Sequence, residues 1–194
     1  SVRGRFIPEF SLLESECLNS NESYEIEIEC LRKGEEPHIL PKIEHIKKTI
    51  RTILAGLQSS NFPISFKVMS QIKESYYELV NKSKPTRKLF PKDFIGPSSV
   101  SLELEHIQES TNNVLTNYVI TDKADGIRKL LYITKRGDMY TIDTNLNIQY
   151  TGIKASKYYN TIIDGEHIIH NKKGEFLNLY AAFDIYFIEG QDVR

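Results

Sequence analysis

Lys123-Ala124-Asp125-Gly126-Ile127-Arg128 sits between two β-type runs, Tyr118-Val119-Ile120-Thr121 before it and Lys129-Leu130-Leu131-Tyr132-Ile133-Thr134 after it. β-Branched and aromatic residues suit a pleated surface, so the stretch reads as strand, tight polar turn, strand. Downstream, Lys135-Arg136-Gly137-Asp138 separates the second run from Met139-Tyr140-Thr141-Ile142, as a hairpin turn does. Thr161-Ile162-Ile163 follows and ends at Asp164-Gly165. The most apolar run, Leu179-Tyr180-Ala181-Ala182-Phe183-Asp184-Ile185-Tyr186-Phe187, is expected as a buried strand. Runs of strands with only short turns between them predict an α+β fold, with an antiparallel-rich domain over 89–194.

Upstream, the period changes. Ile43, Ile46, Ile50, Ile53, Leu54 and Leu57 recur at helical spacing behind Pro41, which suits a first turn, and Gly56 with Ser59-Ser60-Asn61 closes the element. Met69, Ile72, Tyr76, Leu79 and Val80 mark a second helix, with Ser65 placed as its N-cap. Neither helix carries an obvious catalytic group, and His45 reads as structural or solvated. Asn81-Lys82-Ser83-Lys84-Pro85-Thr86-Arg87-Lys88 is polar, basic and broken by proline. It reads as a linker over 83–88, leaving 1–82 as a first unit; phosphate binding by its lysines is the less ordinary reading. Near the start, Val2-Arg3-Gly4-Arg5-Phe6 and Tyr24-Glu25-Ile26-Glu27-Ile28-Glu29-Cys30 alternate as strands do. Glu25, Glu27 and Glu29 then share one face about 7 Å apart, where they repel and need solvent, a basic neighbour or a metal ion.

Composition bounds the function classes. The chain has 194 residues, 40% hydrophobic and 26% charged, and Lys plus Arg total 25 against 26 Asp plus Glu, for a net charge of -1. That excludes a uniformly basic nucleic-acid coat and an acidic disordered tail, though not a local basic site. No apolar run approaches the roughly 18 residues of a membrane span, so no membrane partner is expected. Cys17 and Cys30 form no CxxC pair and read as free thiols in a reducing compartment. The chain begins at Ser1 without a signal-like segment, which suggests a fragment of something longer.

Taken singly, the polar clusters are ordinary. Lys123 to Arg128 and Asp164-Gly165-Glu166 are common turn compositions, and Phe183 is an unremarkable core residue. Each also has a chemical use. A lysine in a cleft becomes a nucleophile once its proton is lost. An arginine can grip ribose or phosphate oxygens, carboxylates flanking a glycine can bind a ribose hydroxyl or a cation, and an aromatic ring can stack on a base.

Together and in this order, Lys-x-Asp-Gly-x-Arg, Asp-Gly-Glu and Phe-Asp resemble motifs I, III and IIIa of the covalent nucleotidyltransferases, which include mRNA guanylyltransferases and ATP-dependent polynucleotide ligases. Phe94-Ile95-Gly96-Pro97-Ser98-Ser99-Val100-Ser101-Leu102 is similar to the segment before motif I in capping enzymes, departing from it at Ser99, and Phe187 to Arg194 resembles the turn after motif IIIa. The glutamate strand and helices before these motifs resemble the fused triphosphatase–guanylyltransferases of large cytoplasmic DNA viruses.

The resemblance implies a catalytic Lys123 that attacks the α-phosphate of GTP, forms a lysyl–GMP phosphoamide and passes GMP to a 5′-diphosphate RNA. It implies Arg128 and Glu166 on the ribose, Phe183 on guanine, Asp125 shaping the turn or orienting Lys123, and Gly126 allowing close backbone approach. It implies Mg²⁺ or Mn²⁺ as cofactor. Glu25, Glu27 and Glu29 would be metal ligands of a tunnel-type RNA triphosphatase acting on 5′-triphosphate RNA, with 1–82 as the end of that domain. Implied surroundings are a viral RNA polymerase as partner and the cytoplasm of a host, or a virion, as location. Motifs IV and V and an OB-fold lid are expected beyond Arg194. A ligase transferring AMP, and a non-catalytic platform for RNA or a polymerase subunit, are the competing readings.

Overall fold

The computed structural model describes residues 25–29, 39–109, 113–120 and 122–194. Contacts divide the chain into two compact units, Ser1–Ile50 and Arg51–Arg194. The alternation expected over 2–6 and the two cysteines lie outside the described residues. In the first unit, residues 25–29 are exposed and form no strand. This corrects the strand expected over Tyr24–Cys30. A strand persists through its ladder, and among the described residues no segment pairs with this one. Ile26 and Ile28 are exposed along with Glu25, Glu27 and Glu29, and the alternation therefore separates no buried face from a wet one. Helix α1, Ile39–Gln58, has Pro41 in its first turn as expected.

The second unit is a six-stranded antiparallel sheet with helix α2, Phe66–Asn81, against one face. The strands are β1 (Ile127–Ile133), β2 (Asp138–Asp143), β3 (Ile148–Lys154), β4 (Thr161–His170), β5 (Phe176–Ile188) and β6 (Gln191–Asp192), in the order β3-β2-β1-β4-β5-β6. The β1–β2 turn closes where expected, with the Thr134 amide bonded to the Asp138 carbonyl and Gly137 at a φ of 84°. Register pairs Leu130 with Ile142 and Asp164, and Tyr132 with Tyr140 and Ile162. Side chains alternate across a strand, so these residues share one face. Leu130, Tyr132, Ile142 and Ile162 are fully buried there with Phe187, under Tyr76 of α2.

Helix α2 begins where the sequence places it, the Ser65 hydroxyl accepting the Val68 amide. It is tied to the sheet by a 2.7 Å hydrogen bond between Ser75 Oγ and Tyr132 Oη. Tyr76 Oη donates to the Asp93 carbonyl at 3.1 Å and accepts the Ile95 amide at 2.8 Å. Segment 83–88 thus lies inside the second unit rather than between units, and α2, expected in the first unit, belongs with the sheet.

Three strand expectations change. Tyr118–Ile120 is irregular and exposed, Ile120 completely so, because no described strand offers it a ladder. β4 does not end at Asp164-Gly165 but runs through it. A Cβ on Gly165 would lie 2.6 Å from the Tyr180 ring, so the glycine makes room for a tyrosine laid across the strand. β5 is longer than expected and mostly exposed. Phe176, Leu177, Leu179 and Phe183 are all exposed, and its second edge pairs only with the two-residue β6. β3 escaped the sequence reading because Gly152, at a φ of 77° against the Phe62 ring, interrupts its pattern.

Leu130→Ala should lower stability by about 2–5 kcal/mol, the cost of a cavity in a filled core. Val119→Ala, on a fully exposed segment, should stay within about 0.5 kcal/mol. Urea unfolding of both variants checks the assigned core.

Candidate active site

The site is built around Arg128, the second residue of β1. Arg128 lies on the core face, and its guanidinium meets the buried Asp164 carboxylate, two residues along β4 from its direct register partner Glu166. Arg128 Nη2 lies 2.6 Å from Asp164 Oδ2, and Nε lies 3.2 Å from both carboxylate oxygens. Arg128 Nη1 donates to the Pro97 carbonyl at 2.6 Å, and Nη2 also reaches Tyr186 Oη at 3.3 Å. The Phe94 ring lies 5.7 Å from the guanidinium carbon. Gly96, at a φ of 136°, passes so close that a Cβ there would stand 2.6 Å from Nη2. The Phe94–Pro97 strap is therefore fitted around one arginine. Asp164, as the hydrogen-bonding partner, holds the Arg128 pKa above its ordinary value, so its charge is permanent.

β5 supplies the other side through two irregularities. Ile162 faces Phe187 while Ile163 faces Ile185, and Asp164 faces Asp184 while Gly165 faces Ala182. Tyr186 and Phe183 are the extra residues, and bulges of this kind re-aim side chains near functional sites. Tyr186 turns its hydroxyl onto Asp164 at 2.5 Å. Burial, and then this carboxylate, push the Tyr186 pKa up to about 12, so it donates as a neutral phenol. Phe183 is turned outward, 57% exposed.

Lys123 lies in the loop before β1, with its side chain 83% exposed. Its Nζ makes long 3.5 Å contacts to Asp125 Oδ1 and the Ala124 carbonyl. It borders a shallow cleft of about 410 Å³ with Asp125, Gly126, His167 and His170. Gly126 lets this loop lie on β4, where a Cβ would meet the His167 carbonyl oxygen at 2.8 Å. The neighbouring Lys129 differs in kind. It is buried on the opposite sheet face from Arg128, its Nζ donates to Gln149 Oε1 at 2.8 Å, and burial lowers its pKa. Of the two lysines flanking the Asp-Gly-x-Arg turn, only Lys123 is accessible.

A strap, a strand-start arginine, an Asp-Gly-Glu strand and a bulged Phe-Asp strand thus stand in one sheet, and the family model for the mRNA capping enzyme catalytic domain matches residues 57–194. The chain belongs to that family. It is 29% identical to the "Probable mRNA-capping enzyme" of Acanthamoeba polyphaga mimivirus over 89% of this chain and 13% of that protein. It is 30% identical to the mRNA-capping enzyme subunit alpha of Schizosaccharomyces pombe, over 52% of this chain and 28% of the other. It is also 29% identical to the mRNA-capping enzyme of Danio rerio, over 52% of this chain and 18% of that one. The chain thus spans well under a third of the length of each of these relatives.

Within this capping-family sheet, the expected residues fall into three groups. Arg128 and Glu166 are paired across β1 and β4, with Glu166 half-buried. Lys123, Asp125 and Gly126 share the loop, whose cleft also takes Ile127, His167 and Ile169 from the face opposite Arg128, and Phe183 stands exposed on its bulge. No one cleft among the described residues holds all of them. Glu25, Glu27 and Glu29 are exposed, in the other unit. Among the described residues no three His, Cys, Asp or Glu side chains converge to hold a metal ion, so the side chains present do not by themselves build the expected Mg²⁺ or Mn²⁺ site.

Sequence reasoning missed Tyr186, and it read Asp164 as a candidate ligand for a ribose hydroxyl or a cation rather than as the buried partner of Arg128. Asp164 was visible as the first residue of Asp-Gly-Glu. Its role depends on a register that no spacing reveals.

The glycines offer a test of the fitted strap. Gly96→Ala should destabilise the fold by about 1–3 kcal/mol, through a strained backbone and contact with Arg128. Gly56→Ala, in α1 with nothing within 4 Å, should stabilise it by about 0.5–1 kcal/mol. Thermal unfolding of the two variants distinguishes close approach from ordinary helix propensity.

Proposed function

We propose that the polypeptide containing this chain is an mRNA guanylyltransferase. It transfers GMP from GTP to the 5′-diphosphate end of RNA through a covalent lysyl–GMP intermediate, with Lys123 as nucleophile. The observation that carries the reading is the accessible Lys123 on a loop seated by Gly126, one turn before the anchored Arg128, in a chain of the capping family.

Lys123 Nζ, as the free amine, attacks the α-phosphorus. The N–P bond forms, the bond from the α-phosphorus to the bridging oxygen breaks, and pyrophosphate leaves. The 5′-diphosphate of RNA then attacks the same phosphorus and releases the lysine. Holding an amine against a bound phosphate supplies the rate through proximity. Asp125, within 3.5 Å of Nζ, orients it. Arg128 has five N–H groups, and its contacts to Asp164, Pro97 and Tyr186 use four, leaving one Nη1–H for a ribose hydroxyl. Glu166, opposite it, accepts from the neighbouring hydroxyl, and the exposed Phe183 offers a ring to guanine. A divalent cation bound with the GTP phosphates would neutralise charge developing on them.

The triphosphatase reading of Glu25, Glu27 and Glu29 rests on the resemblance alone. It requires Glu27→Gln to cut metal-dependent release of the RNA γ-phosphate by the complete polypeptide while GMP transfer survives. On the same reading the enzyme works in the cytoplasm of a host or inside a virion, with a viral RNA polymerase delivering nascent 5′ ends.

In the complete polypeptide, Lys123→Ala and Lys123→Arg should both abolish the acid-labile GMP adduct, the latter because arginine stays protonated. GTP should label the wild type far better than ATP, since polar groups matched to one base are left unpaired by another. A normal adduct in Lys123→Ala would contradict the nucleophile, and preferential labelling by ATP would indicate a ligase.

A further inference from the structure

The basic segment that the sequence marks as a linker is a folded surface. Lys82, Lys84, Arg87, Lys88 and Lys92 are all exposed and occur without an intervening acid, in a chain whose net charge is -1. The first carboxylate after them, Asp93, is already committed. It takes Arg87 bidentately at 2.6 and 2.8 Å and accepts the Phe90 amide at 2.8 Å. Lys82, Lys84, Lys88 and Lys92 make no salt bridge among the described residues. The segment lies against α2, where Ser70, Lys73, Thr86, Arg87 and Lys88 line a cleft of about 380 Å³ that Glu74 also borders.

Two features make this more than a solvated charge run. The first is rigidity. The Arg87–Asp93 fork, and Tyr76 bridging the Asp93 carbonyl to the Ile95 amide, fix the backbone between the cations. The second is an aromatic platform. Phe90 is 49% exposed among the lysines, with the Arg87 guanidinium carbon 5.6 Å from its ring centre. Cations that track a phosphate backbone, interleaved with an exposed ring on which a base can stack, are what single-stranded nucleic acid binding requires. A purely acidic protein partner would use the charges and have no use for the ring. The surface also leads to the site, since only four residues separate Lys92 from Pro97, whose carbonyl holds Arg128.

We propose that Lys82 to Lys92, together with Lys73 of α2, form a binding track for the single-stranded 5′ leader of the acceptor RNA. Lys84, Lys88 and Lys92 contact phosphates and Phe90 stacks on a base. The proposal rests on the guanylyltransferase reading for the identity of the polyanion, and it is tested separately from it.

The test uses the complete polypeptide and a short single-stranded RNA with a 5′-diphosphate and a 3′ fluorophore, read by anisotropy across a salt series. Lys84→Glu/Lys88→Glu/Lys92→Glu should weaken binding at least about tenfold near 0.1 M salt, and the log–log salt slope should shrink by about 2. The neutral Gln triple should do the same to a lesser degree, and Phe90→Ala should weaken binding roughly fivefold or more. Formation of the GMP adduct, which needs no RNA, should be unchanged in all of them and also reports that they fold. Unchanged RNA affinity in the Glu triple would overturn the track. So would displacement of the RNA by polyglutamate at equal charge together with no effect of Phe90→Ala, which would indicate an acidic protein partner. Failure of the wild type to form an adduct would overturn the proposed function instead, while loss of RNA binding in the triple would still support the track.

Discussion

A guanidinium does not lose its proton, so wherever it leaves water it must be met by an anion and by acceptors for its N–H groups. Arg128 and Asp164 satisfy that constraint for each other at the edge of the core, and the surrounding chain is shaped to let them. Asp164 is fully buried, and Tyr186 leaves the regular register of β5 to donate to it. Gly96 lacks the Cβ that would collide with Arg128, and Pro97 turns a carbonyl onto it. Four segments far apart in sequence meet at one ion pair. Removing Arg128 would leave Asp164 buried and uncompensated, which typically costs about 3–5 kcal/mol.

The same network links packing to chemistry. α2 holds the sheet through Tyr132 and holds the strap through Tyr76, whose burial raises its pKa and keeps its hydroxyl neutral in both of its hydrogen bonds. The strap in turn holds Arg128. Rigidity therefore passes from the core to the arginine that faces the nucleotide on our reading. Lys123 is held by little more than the seating of Gly126 on β4, and an exposed amine on a lightly held loop can reach toward a phosphate. On the proposed function, a fixed ribose end and a freer nucleophile would suit a group that must bond to the nucleotide and then release it.

Much of this was legible in the sequence, and the failures have physical causes. Ser65 and the period from Met69 to Val80 placed α2, because capping and helical spacing are local properties. The hairpin at Gly137 was equally local. Tyr118 to Thr121 and Tyr24 to Cys30 have strand propensity, yet the described parts of both form no strand, since pairing decides the matter and propensity only permits it. β5 was read by its apolar content and not by what covers it. The pairing of Arg128 with Asp164 was hidden for another reason. It crosses strands on a diagonal, two residues from the direct pair, and the bulges that bring Tyr186 and Phe183 to their positions break the period of two on which any reading of faces depends.

The most direct measurement is a double-mutant cycle on the rate of GMP adduct formation by the complete polypeptide, using Arg128→Ala, Asp164→Ala and the pair, with thermal unfolding recorded for each. If Asp164 acts through Arg128, each single change should slow the adduct, and the double variant should be no slower than Arg128→Ala alone. Losses that multiply in the double variant, or an Asp164→Ala protein that folds and labels at the wild-type rate, would contradict it.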